Sequence, residues 1–355
     1  MVIMAWDHAS GFWMQLHGGL EGIYPARNLA LDLTLFLARF VSHWCAPTFV
    51  FLSGVSLALS VKNRLSRGDT QGQITLHIIK RGLLLLVFEA IFVSPAFDLP
   101  RLYFGVIAAI GVSLIIFSVG RHLPTSVILA ISLIIVLNHQ WLDLSWIPME
   151  PAWGHYLRRI LHEPGFSWRP YFALYPVFPW IGVVGLGWTY GSTLHGMNRE
   201  RMPRMRLQLA ATGVGSIALF FVVRLMNGYG NLVRRWSSDI LEILYVSKYP
   251  PSVAFLLWGL GGMCLFLALG LIIEERGWSG KGISGVIHVF GRTPLFFYLS
   301  HLWLYRLRLP GVPVLFHLDM MQTLVLWAAG LVVLWMLCSR YEKLKRRYPR
   351  FLRYI

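Results

Sequence analysis

Apolar residues run along this chain in blocks of about twenty, the length a helix needs to cross a bilayer, and short polar or basic segments separate them. Ten blocks can be marked: about 1–16, 35–61, 79–97, 102–120, 124–142, 171–194, 207–227, 252–273, 283–304 and 322–339. The pattern predicts an all-α protein, a polytopic integral membrane helical bundle of about ten transmembrane helices forming one domain over residues 1–355. The first block is short and opens without a flanking charge. It is no secretory signal, because it has neither a basic leading region nor a small-residue cleavage site. No internal repeat and no low-complexity linker interrupts the series.

Composition agrees with that class. Hydrophobic residues make up 56% of the 355 and charged residues only 14%, with a mean hydropathy of +0.59; a soluble domain carries about 25% charged residues. The formal net charge of +16 would suit nucleic acid if the basic residues formed one surface. They lie between the apolar blocks, where they meet anionic lipid headgroups and set orientation, so membrane lipids and not nucleic acid are the expected partners. With both termini in the cytoplasm, nineteen basic residues fall on the inside and ten on the outside, with Arg39, Arg224 and Arg292 inside the membrane. That asymmetry favours cytoplasmic termini. The long segments 143–170 and 228–251, rich in Trp, Tyr and Pro, then face outward. Cys45, Cys264 and Cys338 all sit in apolar blocks, without metal-ligand spacing or a disulfide framework.

A charge in hydrocarbon costs about 2.5 kcal/mol or more, so ionisable residues inside these blocks are expected to face a protein interior or a wet cavity. Asp7-His8 is an acid–imidazole pair in the first block. Read as chemistry, His8 is a general base and Asp7 orients it or balances its charge; read as structure, the pair ties two helices together. His17 is a second histidine close by. Arg39 and His43 are four apart on one helical face, with Pro47 a turn further on. Arg39 suits an anionic group such as phosphate, and His43 a second acid–base role; the competing reading is an ion pair between Arg39 and Asp7, Asp32 or Glu89. Glu89 is read mainly as a charge partner. In the ninth block Tyr298 and His301 share a face, and Arg292 lies toward the inner end, where a cation suits a nucleotide or pyrophosphate; a snorkelling Arg is the other reading. Lys248 in Lys-Tyr-Pro-Pro-Ser252 is placed to touch a polar headgroup or to anchor the eighth block. The glycines 182, 185, 187 and 191 are read chiefly as packing positions. Phosphate-binding loops, nucleophile elbows and zinc motifs are absent, and the string His139-Gln-Trp-Leu-Asp143 has no supporting context.

Four stretches together, Met-Val-Ile-Met-Ala-Trp-Asp-His8, Arg39 to Gly54, Lys248 to Ser252 and Phe290 to His301, resemble the bacterial DUF1624 proteins. These are similar to the catalytic domain of heparan-alpha-glucosaminide N-acetyltransferase, within the transmembrane acyltransferase superfamily, and the likeness extends over nearly the whole chain. The resemblance implies a multi-pass protein of the bacterial inner membrane that takes an acetyl group from cytosolic acetyl-CoA and passes it to an extracytoplasmic sugar, an envelope glycan or glycolipid, by O- or N-acetylation and with no metal. It also implies a charged, Arg-Gly-containing segment ahead of Met1. It leaves His8 and His17 both eligible as the reactive histidine, and homodimerisation open. On this reading His8, Asp7 and His43 are catalytic, while Arg39, Arg292, Tyr298, His301 and Lys248 bind substrate. A transporter or lipid-binding permease would use the same polar residues for ligand passage, although no paired repeat of broken helices is visible.

Overall fold

The computed structural model describes residues 1–14, 33–99, 102–163, 171–194, 200–278, 280, 282–306 and 318–348. These are mainly helical, with almost no strand. The chain begins with α1 (Val2–Trp13), α2 (Leu33–Ser42), α3 (Cys45–Ser66) and α4 (Gln71–Phe88), which runs on through a π-helical turn, Glu89–Val93, into α5 (Ser94–Ala96). Strand β1 (Leu102–Phe104) precedes α6 (Val106–Gly120), α7 (Thr125–Asn138) and α8 (Ala152–Leu161). Strand β2 (Tyr171–Ala173) precedes α9 (Val177–Thr193), α10 (Met202–Met226), α11 (Ile240–Leu244) and α12 (Val253–Glu275). The last helices are α13 (Gly282–Arg292), α14 (Pro294–Arg306) and α15 (Met320–Arg347). His17 lies outside the described residues.

Four helices are long and apolar enough to cross a membrane among the described residues: Phe36–Ser66, Met202–Met226, Val253–Glu275 and Met320–Arg347. Val106–Gly120 and Thr125–Trp141 are shorter apolar helices. The protein is a helical, multi-pass membrane protein. Several apolar blocks are divided more finely than hydropathy indicates. The second is interrupted at His43–Trp44, because Pro47 has no N–H for the carbonyl one turn earlier; His43 N and Trp44 N bond instead to Phe40 O and Val41 O, three residues back. The ninth is two helices, since Pro294 opens α14 and the residue before a proline leaves the helical region.

The residues form two compact units. The first contains α1, α2, α13, α14, α15 and the final residues of α12. Here α1 packs against α2, α14 and α15. Ala5 and Ala9, one turn apart and fully buried, let its neighbours approach closely. Trp6 meets Trp327 edge-on at 5.7 Å, and Trp13 meets Tyr305 edge-on at 5.3 Å. Tyr305 in turn donates its hydroxyl to Trp327 O and lies over Gly330, where any side chain would strike its ring.

The second unit contains α3 to α11 and most of α12. Its tightest contacts join α4 to α6 and α7 to α9, and β1 pairs in parallel with β2, Leu102 opposite Tyr171. Helix α9 also lies directly on α3: a methyl on Gly54 would collide with Val184 O, and one on Gly187 with Phe51 O. Without a hydrophobic force between helices in lipid, such backbone-to-backbone approach is what holds them. Gly54→Ala is therefore expected to destabilise by about 1–3 kcal/mol, read as a lower melting midpoint in detergent. Gly72→Ala on α4, which would meet nothing within 4 Å, is expected to leave the midpoint unchanged or slightly raised. Equal falls for both would rule out the α3–α9 contact as the cause.

Candidate active site

Helix α1 brings together two sets of polar groups in the first unit. Successive residues on a helix point about 100° apart, so the adjacent Asp7 and His8 address different neighbours. Asp7 turns to α2. Its Oδ1 accepts from Arg39 Nη1 at 2.9 Å and from Ser42 Oγ at 2.6 Å, and both ends of the ion pair are buried, with side chains 8% exposed. Arg39 and Ser42, three apart on α2, share the face that receives it. Of the partners open to Arg39, Asp7 is met here, and Asp32 lies outside the described residues.

His8 turns to α14. Its Nδ1 lies 2.7 Å from His301 Nε2, with the two rings 19° from parallel and their centroids 4.9 Å apart. His301 is fully buried, and its Nδ1 lies 2.9 Å from Phe297 O, one turn back on α14. Tyr298, also buried, sets its ring 5.6 Å from His301 and 6.4 Å from His8. His8 itself is half-buried. The first unit thus gathers an imidazole pair with a phenol beside it, and a neutralised Asp–Arg pair on the same helix. The Asp7 carboxylate is engaged by Arg39 and Ser42, and the group at His8 Nδ1 is His301.

The other sequence candidates fall elsewhere. His43 is buried in the turn that ends α2, its ring 5.8 Å from Phe40. Arg292 ends α13 and reaches Glu342 of α15 at 3.3 Å, with its side chain 60% exposed; because Thr293 and Pro294 separate the helices, it does not lie on one continuous helix with His301. Arg346 holds the same Glu342 oxygen at 2.7 Å. Lys248 belongs to the second unit, buried, with Nζ 5.2 Å from the Tyr249 ring centroid. Glu89, also in the second unit, pairs with no cation among the described residues: its Oε2 accepts from Ala108 N at 2.8 Å, at the N-terminus of α6, where backbone N–H groups have no helical acceptor. The His139-to-Asp143 string is structural too. His139 Nε2 lies 2.8 Å from Pro251 O, and the N–H and O–H of Ser145 hold the Asp143 carboxyl below its ordinary range.

Two participants were not singled out in the sequence. Ser42 holds Asp7, and the signal for it was its spacing of three from Arg39. The Phe297 carbonyl holds His301, and a histidine four residues after that position in a buried helix is the corresponding signal. Among the described residues, no cluster of three His, Cys, Asp or Glu can hold a metal ion.

Compared with known families, residues 24–223 match the family described as heparan-alpha-glucosaminide N-acetyltransferase, catalytic. The matched stretch contains Arg39, His43 and Glu89, and it leaves out Asp7, His8, Lys248, Arg292, Tyr298 and His301. No curated protein matches the chain.

Proposed function

Because the chain belongs to the family of the heparan-alpha-glucosaminide N-acetyltransferase catalytic domain, we propose that this multi-pass membrane protein transfers an acetyl group from cytosolic acetyl-CoA to the hydroxyl or amine of an extracytoplasmic carbohydrate. The observation that carries the reading is the His8–His301 contact of 2.7 Å beside Tyr298: a half-buried imidazole held by a fully buried one is positioned as a general base must be. In the proposed reaction His8 takes the proton from the acceptor hydroxyl or amine. The acceptor oxygen or nitrogen bonds to the thioester carbonyl carbon, the carbon–sulfur bond breaks, and the departing CoA sulfur receives the proton back from His8. A route through an acetyl group carried on His8 uses the same residue as nucleophile.

The donor's phosphates need cations outside the bilayer core. At the meeting of α13 and α15, two guanidiniums, Arg292 and Arg346, share the single carboxylate of Glu342, and both side chains are more than half exposed. The surplus positive charge fits a polyphosphate, and with cytoplasmic termini this end faces the acetyl-CoA pool. His43 is assigned a second acid–base role, as the sequence suggests, and the bacterial inner membrane is the proposed location.

The test is direct. Purified protein in nanodiscs, given acetyl-CoA labelled in the acetyl group and a panel of envelope glycans and glycolipids, is expected to release CoA and label a carbohydrate. Neither CoA release nor labelled product with any acceptor, from protein that melts cooperatively, would overturn the acetyltransferase reading in favour of a transporter.

A further inference from the structure

We infer that His301 is a positioning residue that fixes which nitrogen of His8 carries the proton. A neutral imidazole has one N–H and one lone pair, so a chain of hydrogen bonds through two rings determines both tautomers once one end is known. Here the known end is a carbonyl. Phe297 O has only lone pairs to offer and lies 2.9 Å from His301 Nδ1, so that nitrogen is the N–H. His301 Nε2 is then the acceptor, and the nitrogen 2.7 Å from it, His8 Nδ1, must be the donor. The lone pair of His8 therefore stands on Nε2. In water the neutral imidazole favours the opposite form, with the proton on Nε2, which would blunt His8 as a base at that atom. The positioning role rests on the acetyltransferase reading; the tautomer assignment does not.

Three further observations support this. His301 is fully buried and flanked by the rings of Phe297 at 5.3 Å and Tyr305 at 6.4 Å, so it has little room to turn away from its two partners. The chain neighbour that would ordinarily serve as acceptor, Asp7, is committed to Arg39 and Ser42. Finally, His8 and His301 belong to the same compact unit, on helices that pack together. An imidazole acceptor differs from a carboxylate in carrying no charge: it sets tautomer and orientation, but it does not offset the positive charge that forms when His8 takes a proton.

The test has two readouts. In protein labelled with [15N]histidine, a lone-pair nitrogen is identified by its proton correlations: Nε2 couples to both ring carbon-bound protons, Nδ1 strongly to only one. The resonance absent from His8→Asn assigns His8. The expected result is a lone-pair Nε2 on His8 in the wild type and a protonated Nε2 in His301→Phe. For turnover, His301→Phe removes the acceptor and is expected to lower kcat about 100-fold, with KM for acetyl-CoA changed less than about threefold. His301→Gln, whose amide can accept from His8 and donate to Phe297 O, is expected to restore kcat to within about tenfold of wild type. A lone-pair Nδ1 on wild-type His8 would overturn the assignment. Equal kcat in His301→Phe and wild type, or a Gln variant as slow as the Phe variant while both melt like wild type, would overturn the positioning role. If no acceptor is acetylated by the wild type, the functional reading fails, and the spectrum still decides the tautomer.

Discussion

Replacing His8 by asparagine is expected to lower acetyl transfer by about 10²–10⁴-fold, the usual contribution of a positioned general base, while leaving the protein folded. The reason lies in the two nitrogens of the ring. Asparagine's amide N–H can stand where His8 Nδ1 donates to His301 Nε2 at 2.7 Å, but nothing in an amide replaces a basic Nε2. Alanine removes both functions. It leaves His301 Nε2 buried without its donor, which costs about 1–3 kcal/mol, so His8→Ala is expected to be as inactive as His8→Asn and also to melt lower. Turnover of labelled acetyl-CoA and melting of the purified proteins separate the two effects. An asparagine variant that transfers acetyl at close to the wild-type rate would remove His8 from the chemistry and move attention to His43.

The sequence made the burial of Asp7, Arg39 and His301 legible, because the cost of a charge in hydrocarbon alone turns such residues toward a protein interior. It offered Asp7 as one of three partners for Arg39 without choosing among them, and it left the partner of His8 open, since a helix turns neighbours about 100° apart. Asp7 finds Arg39, 32 residues on, and His8 finds His301, 293 residues on. No local pattern encodes which of several acids or bases a helix will meet at such separations. Hydropathy also overran the helix ends. A window of twenty residues does not register a two-residue turn, so the breaks at His43–Trp44 and at Thr293 vanished into continuous apolar blocks, although Pro47 and Pro294 were there to mark both. Glu89 shows the same limit from another side. Its burial could be foreseen, but the thing that satisfies it is the backbone N-terminus of α6, which offers no side-chain signal.

Breaking the Asp7–Arg39 pair from either side is expected to give the largest loss of stability of any change considered, about 3–5 kcal/mol. Both side chains are buried, and the bond is 2.9 Å long. Arg39→Met takes the guanidinium from a buried carboxylate that also accepts from the Ser42 hydroxyl at 2.6 Å, and Asp7→Asn takes the negative charge from the buried Arg39. The double variant Asp7→Asn/Arg39→Met removes both charges together. Replacing a buried ion pair as a whole by neutral groups is often close to neutral in stability, so the double variant is expected to melt well above both single variants, with a large favourable coupling in the double-mutant cycle. Independent losses that simply add would show that the pair does not couple α1 to α2. The same double variant also divides structure from chemistry. The geometry gives the orientation of His8 to His301, so the Asp–Arg pair serves to hold α1 at the angle that brings His8 there. A folded double variant is therefore expected to keep acetyl transfer within about tenfold of wild type, against the 10²–10⁴-fold loss expected at His8. If it folds and yet falls to the level of His8→Asn, the carboxylate or the guanidinium touches the reacting groups, and the division of labour along α1 derived from their separate partners is wrong.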